Sequence, residues 1–250
     1  MKKIRLKKST KFIFIELIFV VLIIFSGVKI FVWYRDNKKN DNILNTINKD
    51  IKIVIDEETN KEIYKIDFDK LKQQNKDTVG YIKVNNTKIE YPVLRTNDNE
   101  YYLKHNFNKE YNISGWIFMD YRNKLDGSDK NIIIYGHNTN DGSMFGSLRN
   151  TLKSAWYLNK DNHIITLYTP SKTLEYQVFS IYNIDTEEYY IQTEFDNNYN
   201  EFIDNLKNRS IYNFNINIDY NNPILTLSTC SNNGKRRVVM HSILLHVLDT

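Results

Sequence analysis

The chain of 250 residues holds one cysteine, Cys230, and with it one thiol able to act as a strong nucleophile near neutral pH. It closes the run Thr226-Leu227-Ser228-Thr229-Cys230, a few residues after Pro223. In an extended backbone alternate side chains share a face, so Thr226, Ser228 and Cys230 fall on one side and Leu225 and Leu227 on the other. That pattern predicts a strand with an apolar back and a thiol on its polar face, open to a substrate. A free thiol, with a pKa near ~8.5, is only a few per cent ionised at pH 7, so attack on an amide needs a neighbouring base or cation. Two segments could provide them. His137 ends the apolar run Ile132-Ile133-Ile134-Tyr135-Gly136 and opens an Asn/Asp/Gly-rich loop, while Arg236 and Arg237 enter a second β-branched run soon after Cys230. An imidazole can carry the proton, and a guanidinium can lower the thiol pKa or hold an oxyanion. Each residue alone also has a plain structural role: a small buried hydrophobe, a turn histidine, a solvated pair of charges.

Positioning these groups requires a rigid scaffold, and the sequence from residue 79 onward reads as strands. Short runs rich in β-branched and aromatic residues, separated by Asn, Asp, Gly and Lys, predict strands over 79–84, 88–94, 115–120, 131–137, 163–169, 174–184, 224–230 and 237–248. Two helices interrupt them, over 144–152 after Asn140-Asp141-Gly142, and over 195–207 with Phe195, Tyr199, Phe202, Ile203 and Leu206 on one face. Eight mainly short strands predict a mainly β fold, a single barrel or sandwich decorated by helices.

The N-terminal part differs in kind. A basic stretch holds Lys2, Lys3, Arg5, Lys7, Lys8 and Lys11, and residues 12–34 then form a largely apolar run of 23 residues. That length spans a bilayer, and the apolar gain outweighs Glu16 and Lys29 near its ends. Ser26 and Gly27 are small, but Ile24 and Phe25 occupy the positions where a cleavage site needs a small partner, which favours a retained anchor over a signal peptide. The positive-inside rule then leaves residues 1–11 as a cytoplasmic tail and everything after Tyr34 outside the cell, in a single-pass membrane protein. Residues 35–76, polar with Ile43, Leu44, Ile47 and Ile51 at helical spacing, predict a helical stalk leading into a catalytic domain over 77–250.

Charge and cysteine usage exclude other classes. Residues 1–39 hold 10 of the 34 Lys and Arg and only 2 of the 30 Asp and Glu, so the remainder is mildly acidic and is no nucleic-acid binder. A single cysteine rules out an internal disulfide and a second thiolate for a metal site, and no histidine spacing matches a zinc motif.

Taken together, the motif residues resemble the sortase family. Its members carry a cysteine at a T-L-x-T-C strand end, a histidine after an apolar strand, and an arginine beginning the strand after the cysteine. These correspond to Cys230, His137 and Arg237-Val238-Val239 here, and hence to Arg237 rather than Arg236. Gly115-Trp116-Ile117-Phe118-Met119-Asp120-Tyr121-Arg122-Asn123, Ile134-Tyr135-Gly136-His137-Asn138, Met144-Phe145 and the helix over 195–207 resemble class B. The resemblance covers roughly residues 67–248. It implies an eight-stranded sortase-type barrel with N-terminal helices and a helix between the sixth and seventh strands. It implies a transpeptidase in which Cys230 attacks a C-terminal sorting motif of secreted proteins, His137 serves as acid and base, and Arg237 holds the oxyanion. A peptidoglycan amine, or that of its lipid-linked precursor, then resolves the thioester, with no metal or organic cofactor. Ser228, Tyr190, Ile191, Thr193, Asn99 and Leu103 match positions that line the peptide groove in class B relatives. Ser231 departs from relatives that carry an acidic residue after the cysteine. Two rivals predict other patterns. An L,D-transpeptidase would place Gly before Cys and His before Gly, whereas a non-catalytic binding barrel would tolerate loss of Cys230.

Overall fold

The computed structural model describes residues 8–55, 62–230 and 236–249. Ser231 and the basic tail before Lys8 lie outside the described residues. The first element, α1, is one uninterrupted helix over Lys8–Lys49. At about 1.5 Å per residue it is roughly 63 Å long, about twice the hydrocarbon thickness of a bilayer. No Pro or Gly follows Gly27 within it, so nothing breaks the helix where the apolar run gives way to the polar stretch. Its apolar part is exposed, while its second half buries Asp36, Asn37, Asn40 and Ile47 against the rest of the molecule.

The expected helical stalk is interrupted by β structure. Strands β1 (Lys52–Ile55) and β2 (Glu62–Lys65) pair antiparallel, and α2 (Phe68–Gln74) follows, its first turn closed by the Asp67 carboxylate accepting from the Lys70 N–H at 2.9 Å. The reason lies in Lys-Ile-Val-Ile and Glu-Ile-Tyr-Lys, short β-branched runs that favour a hairpin over a helix. Tyr64 anchors the hairpin by stacking on Tyr168, with ring centroids 5.8 Å apart.

Eight strands then close a barrel: β3 (Thr78–Val84), β4 (Glu90–Leu94), β5 (Phe118–Met119), β6 (Asn131–His137), β7 (Ile164–Tyr168), β8 (Lys172–Asp185), β9 (Ile224–Cys230) and β10 (Arg236–Asp249). Around the barrel the order is β10-β8-β7-β3-β4-β5-β6-β9. All eight expected strands are present, and the fold is mainly β. The third is shorter than 115–120 because Gly115 sits at φ +54, outside the extended region that a ladder needs. The helix expected over 144–152 is a 3₁₀ helix over Gly146–Leu152, and it starts late because Met144 has φ +49, outside the helical region.

Three hydrophobic clusters form among the described residues, the smallest made of Tyr64, Tyr81 and Tyr168. The barrel interior takes Leu225, Leu227, Ile133 and Trp116. Outside it, α3 (Ser154–Leu158) caps one loop, and α4 (Tyr199–Asn208) lays Tyr199, Phe202, Ile203 and Leu206 against Val239 and Ile243. Phe195 packs on Tyr199 and Phe202 from before α4, so the expected start at residue 195 is four residues early.

Candidate active site

Strands β6 and β9 run parallel and in strict register from Asn131 opposite Ile224 to His137 opposite Cys230. Both strands are largely buried, as expected of a parallel pair inside a closed sheet. Their last residues therefore arrive side by side at one rim of the barrel. Gly136 makes this possible: a Cβ there would lie 2.7 Å from Phe145 Cγ, so only glycine lets the Phe145 ring pack across β6 just before the histidine.

The His137 ring is held from the opposite side. Its Nε2 lies 2.8 Å from the Leu103 carbonyl. A carbonyl can only accept, so Nε2 carries the hydrogen and Nδ1 is the basic nitrogen of the neutral ring. Burial pushes the imidazole below its ordinary value of 6.5, and the Leu103 carbonyl recovers only part of that shift. The ring is neutral at pH 7, which suits a base that must first receive a proton.

The two arginines separate by face. Arg236 turns outward, its Nε 3.6 Å from the Asp185 carboxylate and its Nη2 3.3 Å from the Asn183 carbonyl on β8. Arg237 turns toward β9, its Nη1 3.5 Å from the Thr229 carbonyl, and the next backbone N–H, of Val238, donates to Thr229 Oγ1 at 3.1 Å.

The six expected groove residues fall into three groups. Leu103 and Asn99 lie on one side of the rim, both partly buried. Asn99 donates to Asp120 Oδ2 at 3.0 Å and accepts from the Tyr121 N–H at 3.0 Å. Ile191 and Thr193 lie partly exposed in the connection between β8 and α4. Tyr190 and Ser228, by contrast, are buried and share a hydrogen bond of 3.0 Å. The polar face of β9, expected to be open, is thus covered by that connection, with Thr226 and Ser228 fully buried.

Several residues without an expected role hold these parts together. Arg122 donates to Asp120 at 2.8 and 2.7 Å and to the Ile191 carbonyl at 2.9 Å, linking one side of the rim to the other. Burial alone would raise Asp120, but Arg122 and the Tyr135 hydroxyl together keep it below the ordinary carboxylate range. Beneath them runs a directed chain. The Asn131 amide donates to the carbonyls of Tyr190 and Gln192, its oxygen accepts from Thr226, and Thr226 meets His241 Nδ1 at 2.9 Å. Because the Thr226 hydrogen is committed to Asn131, His241 carries its hydrogen on Nδ1, and its Nε2 accepts from the Tyr182 hydroxyl at 2.8 Å. An Asn heading an apolar strand was the one sequence signal for this chain; His241 sits in an apolar run with nothing to mark it.

The family model described as "Sortase domain" matches residues 82–244, which takes in β6, β9 and the first part of β10, with His137, Cys230 and Arg237. The chain belongs to the sortase family. It is 38% identical over 227 residues to the sortase B of Listeria monocytogenes, covering 86% of this chain and 88% of that one. To the sortase B of Staphylococcus aureus it is 34% identical over 236 residues, covering 92% and 95%. Its structure resembles a sortase B from Bacillus anthracis in complex with AAEK1, with a TM-score of 0.73, 30% identity, and 85% and 100% of the two chains covered. It also resembles a Staphylococcus aureus sortase B–substrate complex, with a TM-score of 0.67, 37% identity, and 71% and 84% covered. This sortase is of class B, and its enzymatic class is cysteine transpeptidase.

Proposed function

We propose that this sortase is anchored in the cell membrane by residues 12–34, with its barrel outside the cell, and that it fixes secreted proteins to the wall through a thioester on Cys230. The observation that carries the chemistry is the register that sets His137 opposite Cys230. Carrying the antiparallel register of β9 and β10 two residues past Val239 and Ser228 sets Arg237 opposite the same cysteine.

In this reading Cys230 attacks the carbonyl of a threonine in a sorting motif as its proton passes to His137 Nδ1. Arg237 donates to the oxyanion that forms. The imidazolium returns the proton to the leaving amine, which departs with the C-terminal fragment, and the acyl group stays on sulfur. An amine of peptidoglycan or its lipid-linked precursor then attacks the thioester and loses a proton to His137; the carbon–sulfur bond breaks, the Cys230 sulfur takes the proton back from His137, and the protein leaves in a new amide bond. Leu103, Ile191 and Thr193 wall the peptide groove with Asn99, while Tyr190 and Ser228 support it from below. The exposed apolar half of α1 supports the anchor, since one helix over Phe12–Lys49 is long and apolar enough to cross a membrane.

Residues 35–250 should leave the membrane fraction and cleave a member of a library of sorting-type pentapeptides, with the acyl fragment on Cys230 in mass spectra. Cys230→Ala should abolish both signals. More than a few per cent of the parent's cleavage in that variant would sink the reading, because no other thiol exists to take over.

A further inference from the structure

One face of α1 carries three buried polar residues just beyond the apolar run. Asp36, Asn37 and Asn40 are 2%, 5% and 2% exposed, at positions that share a helix face. Buried polar side chains on a helix surface are costly unless bonded, and all three are bonded to the loops on either side of His137.

On the side that receives the His137 ring, the Ile113 N–H donates to Asp36 Oδ2 at 3.1 Å. Asn112 Nδ2 reaches both the Asp36 carbonyl at 3.0 Å and Asn40 Oδ1 at 2.9 Å, and Asn40 Nδ2 donates to the Gly115 carbonyl at 3.1 Å. Gly115 is the contact that matters. Its backbone is wedged so tightly that a Cβ would fall 2.9 Å from the Leu103 carbonyl oxygen and 3.0 Å from His137 Cδ2. The glycine thus lies close beside both the ring and the carbonyl to which the ring donates, with no room between them for a side chain. On the other side, Asn37 Nδ2 donates to Asp141 Oδ2 at 2.6 Å, in the loop that leaves His137, and its oxygen accepts from Ser114. Asp141 in turn holds Ser143 through its N–H at 3.0 Å and its hydroxyl at 2.8 Å, and the Phe145 N–H returns to the His137 carbonyl at 3.0 Å.

We infer that the turn Asp36–Asn40 of the anchor helix is a positioning element of the active site, clamping the two loops that fix the His137 ring. The inference rests on His137 being the acid and base of the reaction. Because α1 is continuous, the segment that enters the membrane and the segment that orients the histidine are one rigid body. The helix is therefore a working part of the catalytic centre as well as its tether.

Asn40→Asp tests this in the full chain in detergent micelles. The change is isosteric and keeps the acceptor for Asn112, but it removes the donor to the Gly115 carbonyl. Cleavage of the pentapeptide that the library identifies should lose about tenfold or more in kcat with KM within about twofold, as a small misplacement of a reacting group does. The ring resonance of His137, identified by its loss in His137→Ala, should move. Asp36→Ala should behave likewise, whereas Asp36→Asn, which keeps an acceptor for Ile113, should stay within about twofold of the parent. A kcat within twofold of the parent in both Asn40→Asp and Asp36→Ala, with the resonance unmoved, would overturn the inference. If Asn40→Asp does not fold, the paired Asp36 variants decide alone. Full activity of His137→Ala would instead overturn the acid–base role, and the His137 ring position could then be read from the Gly115 N–H resonance in the same variants.

Discussion

At the scale of single residues, the adjacent arginines give the sharpest test of the site. Neighbouring side chains on a strand point to opposite faces, so only one of Arg236 and Arg237 can serve Cys230. Arg236 is engaged with Asp185 and Asn183 on β8, and its side chain is 59% exposed, so an ion pair there contributes little. Arg237 faces the end of β9. Removing an oxyanion donor typically costs about 2.7–4 kcal/mol, roughly a hundred- to a thousandfold in turnover. A loss of that order is expected for Arg237→Ala, and less than about tenfold for Arg236→Ala. Arg237→Lys should recover little, because a point charge lacks the planar fork of donors. Turnover of the alanine variants at equal folded concentration decides the matter, and the opposite ranking would move the role to Arg236.

At the scale of elements, the connection between β8 and α4 depends on groups that lie outside it. Its Ile191 carbonyl is held by Arg122, and its Tyr190 and Gln192 carbonyls by Asn131. Arg122→Ala should therefore free one wall of the peptide groove while leaving the reacting residues in place. We expect KM to rise about tenfold, equivalent to about 1.4 kcal/mol of binding, with kcat within about threefold. Arg122→Lys should restore a charge to Asp120 but not the second bond, giving an intermediate KM. An unchanged KM in Arg122→Ala would show that the wall stands without it. The strands that carry the site were legible because apolar runs such as Ile132-Ile133-Ile134 and alternations such as 224–230 are local signals. The interlocking polar groups were not. Whether Ser228 faces a substrate or Tyr190 depends on a segment 38 positions away, and whether Asn40 is solvated depends on a loop 75 positions away. The β1–β2 hairpin was missed for a related reason. Its strands are four residues each, and their pairing and the Tyr64–Tyr168 stack are tertiary.

At the scale of the whole molecule, the polar chain beneath β9 ties stability to pH. His241 is fully buried among Phe179, Tyr182 and Tyr190, and both ring nitrogens are bonded in the neutral form. Burial, with a smaller contribution from Arg209, lowers its pKa from 6.5 to about 3. A histidine depressed in the folded state takes up its proton only when the chain unfolds. The unfolded state therefore binds more protons between pH 6.5 and about 3, and stability falls as pH falls through that window. The loss begins below the unfolded value and levels off below the folded one. By pH 5 this one residue should remove about 2 kcal/mol relative to pH 7.5. His241→Gln supplies the comparison, since its amide can still donate to Thr226 and accept from Tyr182 but does not titrate. The variant should be less stable than the parent at pH 7.5, because a flexible amide fills the ring's place poorly. Between pH 7.5 and pH 5, however, it should lose about 2 kcal/mol less than the parent in urea unfolding. His137 and His163 are also depressed, but both remain in the variant, so the difference between the two slopes isolates His241. Equal losses in the two proteins would mean that His241 takes up its proton in the folded state as well, with its Nε2–H then donating to the Tyr182 hydroxyl instead of accepting from it.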